Sequence, residues 1–195
     1  MEHFDDRSTR YALVKKVGSS TLGAALRPGA RGGYPLHRFV FFVRHPLARL
    51  VSGWSDLVRH ETFDLFVPKI CKLTNEEMDH HFEPQIYGIQ QVIDWTELEP
   101  SGRLYIGTLE TLNEVGLREL EKFKGTKLYN RTQHRRRSKH DPWETYYENP
   151  LVKKVAADKF AEDYKLWQKI SDMGGWYESP PTSDWKKEWK GLLSN

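Results

Sequence analysis

The chain has a single cysteine, Cys71, so no disulfide can form within it and a four-thiolate zinc site is excluded. No apolar run approaches the roughly 20 residues that a bilayer-spanning helix needs. The opening residues, MEHFDDRSTR, are acidic and polar and lack the apolar stretch of a secretory signal. There is no GxxxxGK[ST] loop, no internal repeat and no low-complexity tract. With 195 residues, 38% of them hydrophobic and 29% charged, the chain is neither a disordered polyelectrolyte nor a membrane protein. These absences predict one soluble, intracellular domain over residues 1–195, cytoplasmic and with no membrane anchor. Its core is expected over about 11–170, with a Trp-rich tail over 173–195.

What is present is concentrated charge. Residues 131–140, RTQHRRRSKH, carry +5, from Arg131, Arg135, Arg136, Arg137 and Lys139. Because the whole chain is only +3, the other 185 residues are left at −2. Such a decade is either a solvated surface turn or a site for an anionic partner.

Short elements alternate along the chain. Tyr11–Val14 reads as a strand, Lys16–Thr21 as a small polar turn, and Leu22–Leu26 as a helix start. Phe39–Val43, aromatic and β-branched throughout, predicts a central strand covered on both faces. His45-Pro46 suits a helix cap and first turn, followed by a stripe of Leu47, Leu50, Val51, Trp54, Leu57 and Val58. Residues up to about Leu98 read as polar and helical, Arg103–Ile106 as a strand and Asn113–Phe123 as a helix. A last long helix is expected from Asn149-Pro150, with Val152, Val155, Ala156, Phe160, Tyr164 and Trp167 on its buried face. Strand–helix alternation predicts an α/β fold, a three-layer sandwich with a mainly parallel central sheet. Ligands in such folds bind at the carboxyl ends of the strands, where both Lys16–Thr21 and Arg44–Arg49 fall.

KVGSSTL, residues 16–22, is either a capped helix start or an anion cradle of backbone N–H groups, three hydroxyls and the Lys16 charge. Arg44, at the end of the strongest strand, offers a planar fork suited to phosphate, whereas Arg49 could equally snorkel along its helix.

Together, KVGSST and RHPLARLVSGW resemble the sulfotransferases that use 3′-phosphoadenosine 5′-phosphosulfate (PAPS), most closely the carbohydrate branch. That branch has a PK(V/T)-type loop for the 5′-phosphosulfate and an R(D/N/H)PxxRxxS segment for the 3′-phosphate. His81-Phe82-Glu83-Pro84-Gln85 is similar to its HWxPQ, and YIGTLETL with Glu110 to its YEDL-type strand end. The likeness covers roughly residues 11–170. It implies a P-loop-like sulfotransferase fold that moves a sulfuryl group from PAPS to an acceptor hydroxyl, releasing adenosine 3′,5′-bisphosphate without a metal. Lys16 would stabilise the bridging oxygen. Lys15, Val17, Gly18, Ser19, Ser20, Thr21 and Leu22 would surround the phosphosulfate. Arg44, Arg49 and Ser52 would take the 3′-phosphate, and Arg135, Arg136 and Arg137 would close over it. His81 is the first choice of base, with Glu83 and His80 as substitutes and His45 read as a cap. The acceptor implied is a glycan hydroxyl, with a lipid, a small alcohol or tyrosine also open. Trp176, Tyr177, Trp185 and Trp189 would stack on sugar rings or pack the tail onto the core. Lys15 stands where the family has proline, and the cysteine that often follows HWxPQ is missing. Residues 27–38 are too few for the strand that carries a catalytic histidine in many sulfotransferases.

Three other readings follow from the same residues. A nucleic-acid-binding module would use the Arg135–Lys139 stretch, but the charge of −2 elsewhere argues against nucleic acid as a partner. A nucleotide kinase would need the Walker-type loop that is missing. A degenerate sulfotransferase would bind the nucleotide without turnover.

Overall fold

The run Phe39–Val43 lies in the middle strand of a sheet, as its unbroken apolarity predicts. The computed structural model describes residues 2–6, 9–13, 36–92, 98–124, 140–181 and 184–194. Strand β3 (Leu36–Val43) is paired in parallel with β2 (Thr9–Leu13) on one side and β4 (Leu98–Thr108) on the other. Two antiparallel strands flank this centre, β1 (Glu2–Asp6) beside β2 and β5 (Trp176–Glu178) beside β4. The spatial order is therefore β1-β2-β3-β4-β5. A parallel core is present, and the antiparallel edges are what the sequence did not signal. β1 has only Phe4 as an apolar residue, and an edge strand needs no continuous apolar run. Pro100-Ser101-Gly102, expected to precede β4, falls inside it, where the β3–β4 register shifts between Leu36 and Arg38.

Successive side chains of β3 point to opposite faces, and each face meets helical structure. Phe41 sets its ring edge against Trp189 of the last helix, α7 (Trp185–Leu193), at 5.5 Å and 85°. Phe42, on the other face, fills the space left by Gly107 of β4 and by Gly116 of a π-helical turn, Leu112–Gly116. A Cβ on Gly116 would sit 2.7 Å from the Phe42 ring, so the glycine is what allows the layer to close. That turn leads into α4 (Leu117–Lys124).

After β3, α1 (Pro46–Leu57) starts where the cap and proline signals place it: the His45 ring accepts from the Ala48 N–H. Leu47, Leu50 and Val51 are buried and Trp54 and Val58 pack half-buried against the same cluster, whereas Leu57 is 48% exposed. The polar region that follows holds two short helices, α2 (Phe63–Cys71) and α3 (Gln85–Val92). α1, α2 and the 3₁₀ turn Trp143–Tyr147 form a second apolar cluster with α5 (Pro150–Lys159).

The long C-terminal helix is in fact two. The chain breaks at Phe160 (φ −106°, ψ 24°) between α5 and α6 (Ala161–Asp172). Val155 and Tyr164, expected on the buried stripe, are 37% and 43% exposed. Beyond α6, Gly174 and Gly175 take φ of +84° and +83°, a left-handed turn open to glycine, and lead the chain into β5. Trp185 and Trp189 are buried in the main core. Among the described residues no helix is long and apolar enough to cross a membrane.

Candidate functional site at the carboxyl end of the sheet

The site grows from the point where β3 stops. The Arg44 N–H donates to Gln85 Oε1 and the Arg44 carbonyl accepts from Gln85 Nε2, both at 2.8 Å. One buried amide side chain thus closes a two-bond ring on the strand end. Gln85 is itself held by Asp163 of α6, whose carboxylate accepts from the Gln85 and Ile86 N–H groups at 2.6 and 3.0 Å. Those are the orphan donors at the start of α3, so Asp163 caps that helix from across the fold. Burial raises the Asp163 carboxyl, against the pull of these two donors and of Arg49.

Arg49 is 2% exposed and turned inward. Its Nη1 donates to the Glu83 carbonyl at 2.7 Å and its Nη2 to the His80 carbonyl at 3.3 Å. Burial pushes the guanidinium down to about 10, opposed by Asp163 and Glu83, so it stays charged at neutral pH. Gly53, one turn further along α1, lets Phe82 and the His81 carbonyl approach closely; a Cβ there would lie 2.6 Å from Phe82 Cε1. The turn 79–85 is therefore fastened both to α1 and to the end of β3. Glu83 is buried in it, and that burial raises its carboxyl despite nearby Arg49. Ser52 is buried on α1.

His81 meets Asp79 twice, through its backbone N–H (2.8 Å) and its ring Nδ1 (2.6 Å), both to Oδ1. With Nδ1–H given to the carboxylate, Nε2 is left as the basic nitrogen. Partial burial would raise Asp79, but the two His81 contacts outweigh it and hold the carboxyl below its usual range. Asp79, His80 and His81 also bring three ligand-type atoms within 4.8 Å of one another. Asp79 and His80 are exposed, and the Asp79 oxygen is already engaged by His81.

An aromatic group completes the rim. The His45 ring stacks on Trp143 at 4.3 Å and meets the edges of Trp167 and Tyr164 at 4.6 and 5.5 Å. Glu110, just past the end of β4, accepts from the His45 N–H (3.0 Å) and from Trp167 Nε1 (3.1 Å). A carboxylate is favoured at this helix start by the exposed N–H groups. Burial lowers both Arg44 and His45 from their usual values, Glu110 opposing in each case.

The His45 shift carries a pH prediction. The unfolded chain protonates this histidine before the native one, so stability is lost as pH falls through the usual histidine range and then through the lower native value. The urea midpoint should fall more between about pH 7.5 and about pH 5 in the wild type than in His45→Asn, which keeps a cap acceptor without a titrating ring. Equal falls would remove His45 as the cause.

The structure thus gathers Arg44, Arg49, Ser52, His81 and Glu83 around α1 and the turn beside it. Lys15, Lys16, Val17, Gly18, Ser19, Ser20, Thr21 and Leu22 lie outside the described residues, as do Arg135, Arg136 and Arg137. Trp185 and Trp189 pack the tail onto the sheet rather than presenting sugar-stacking faces, and Tyr177 donates its hydroxyl to Glu188 at 2.7 Å. Gln85, Glu110 and Trp143 fall in segments that the sequence marks without showing what each side chain does, whereas Asp163 follows Glu162 on a helix that reads as solvated and carries no signal. Comparison of the chain with family models, curated proteins and solved structures gave no significant match.

Proposed function

We propose that the chain is a PAPS-dependent sulfotransferase of P-loop-like fold that acts on a hydroxyl acceptor, most readily a glycan hydroxyl. The observation that carries this reading is the Gln85 ring on the Arg44 backbone, which joins the RHPLARLVS and HHFEPQ segments at one strand end. Donor-binding and base-bearing segments must share a rim if phosphate and acceptor are to meet in line.

In this reading the acceptor oxygen attacks sulfur as the bond from sulfur to the bridging phosphate oxygen breaks. The acceptor proton passes to His81 Nε2, oriented by Asp79, and adenosine 3′,5′-bisphosphate leaves. Lys16 neutralises the charge that grows on the bridging oxygen. Backbone N–H groups of residues 18–22 and the hydroxyls of Ser20 and Thr21 hold the 5′-phosphate. Arg44 and Ser52 take the 3′-phosphate, with Arg135, Arg136 and Arg137 closing over it. Arg49 contributes by holding the turn that carries His81 and Glu83, since its donors go to backbone carbonyls.

The test is thermal melting with adenosine 3′,5′-bisphosphate. A genuine site stabilises by mass action, about 2.7 kcal/mol at a hundredfold excess over Kd, and the melting point climbs with concentration. Adenosine 5′-monophosphate, lacking the 3′-phosphate, should shift it far less. An unmoved melting point with the bisphosphate overturns the reading. For the base, His81→Ala is expected to lower kcat by about 10²–10⁴, with donor affinity unchanged. Wild-type turnover in that variant would remove His81 from the reaction.

A further inference from the structure

At the far end of α1, about 12 Å along the helix from Pro46 at its usual rise per residue, a second concavity opens. It is an open cleft of about 650 Å³, within the range of small-molecule sites. Trp54, Phe63 and Tyr146 form its apolar side, an edge-to-face triad with centroids 5.4–5.5 Å apart. Phe63 is buried, so the half-buried rings of Trp54 and Tyr146 supply the accessible aromatic surface. The Trp54 indole N–H is already given to the Glu61 carbonyl at 2.9 Å. That ring therefore offers a ligand apolar contact and not a donor.

Most of the charge around the cleft is already committed. Glu61 is bonded to Lys69, the Asp64 carboxylate accepts from Asn149 at 3.2 Å, and Arg59 Nε donates to the Ser55 carbonyl. His60, Thr62 and Glu148 stand exposed on the rim and make no side-chain hydrogen bond among the described residues. With three carboxylates against Arg59 and the Lys69 that pairs with Glu61, the cleft keeps a formal charge of −1 from these groups. A phosphorylated or sulfated ligand would be repelled, and a wholly apolar one would desolvate His60 and Glu148 without bonding them.

We propose that this cleft binds an uncharged saccharide. A pyranose ring has an apolar C–H face, which suits Trp54 and Tyr146. Its equatorial hydroxyls both donate and accept, which suits an imidazole, a hydroxyl and a carboxylate spaced around those rings. The further step, that an acceptor chain runs from this cleft along α1 to the Arg44 rim, rests on the sulfuryl-transfer reading. The sugar binding itself does not.

Titration calorimetry on the full chain, with neutral tetrasaccharides of glucose, N-acetylglucosamine, galactose and mannose and with a chondroitin sulfate tetrasaccharide, separates the two. At least one neutral probe should bind saturably, and the sulfated probe more weakly than it. Tyr146→Ala should weaken the neutral probe about tenfold, loss of one stacked ring contact being worth that much. His60→Ala, at an exposed position, should weaken it in a protein whose melting point is unchanged. No saturable binding by any neutral probe, tighter binding of the sulfated one, or affinity indifferent to both variants would overturn the proposal. Sugar binding without any response to adenosine 3′,5′-bisphosphate would leave the cleft standing and end the transfer reading; the reverse result would do the opposite.

Discussion

Replacing Asp163 with alanine is expected to cost about 3–5 kcal/mol, from two buried N–H groups left without an acceptor and a buried guanidinium left without a nearby opposing carboxylate. The carboxylate is 2% exposed and serves two purposes at once. It accepts the Gln85 and Ile86 N–H groups, and it offsets the buried charge of Arg49. Alanine leaves two backbone donors without an acceptor and a guanidinium in a low-dielectric surrounding. Against a total stability of about 5–15 kcal/mol for an ordinary domain, that is a large fraction. Urea denaturation followed by circular dichroism is the measurement. Asp163→Asn should fall between wild type and alanine, because an amide oxygen can keep one N–H bond but brings no charge. A loss below about 1 kcal/mol for the alanine variant would show that the surroundings relax around the gap. The two buried charges are not a net source of stability over a well-packed apolar substitute, since burial works against each of them. What they secure is the position of Gln85, and through it the end of β3.

The second large effect is on chemistry. On the proposed transfer reading, Lys16→Ala should reduce sulfuryl transfer by about 10²–10³-fold or more, the scale seen when one preorganised charge-stabilising donor is removed. Binding of adenosine 3′,5′-bisphosphate should survive, because that reading assigns the two phosphates to other groups. Direct titration with the bisphosphate and single-turnover transfer from PAPS read the two quantities separately. Equal loss of both would make Lys16 a phosphate ligand and not the group that stabilises the leaving oxygen. Full turnover would take it out of the mechanism.

Local signals in the sequence suffice where the structure answers to local chemistry. The apolar run Phe39–Val43 is the central strand, and His45 and Pro46 start α1. Asn149 caps α5, its side chain accepting from the Leu151 N–H. Each depends on a few consecutive residues. What the sequence hid depends on contacts between distant ones. The α5–α6 break at Phe160 cannot be read from a stripe that continues in register on both sides of it. Without the break, Asp163 belongs to a polar face, and its bonds to residues 77 and 78 positions earlier have no trace in spacing. Arg49 reads from sequence as a 3′-phosphate ligand or as a snorkelling side chain, and the inward position it takes, on carbonyl acceptors from a separate turn, has no trace in helical spacing. Of the candidate site, the Arg44 end and the His81–Gln85 turn were legible as segments, but the Gln85 ring that joins them was not.

The contact between Phe41 and Trp189 has a consequence for how the molecule is made. On a ribosome moving at about 5–20 residues per second, the indole emerges roughly 7–30 s after the strand it covers. Throughout that interval Phe41 lacks its aromatic cover, long after the central strands could associate. Holdase chaperones that favour aromatic and β-branched stretches should therefore engage the chain during synthesis, and let go once α7 is out of the exit tunnel.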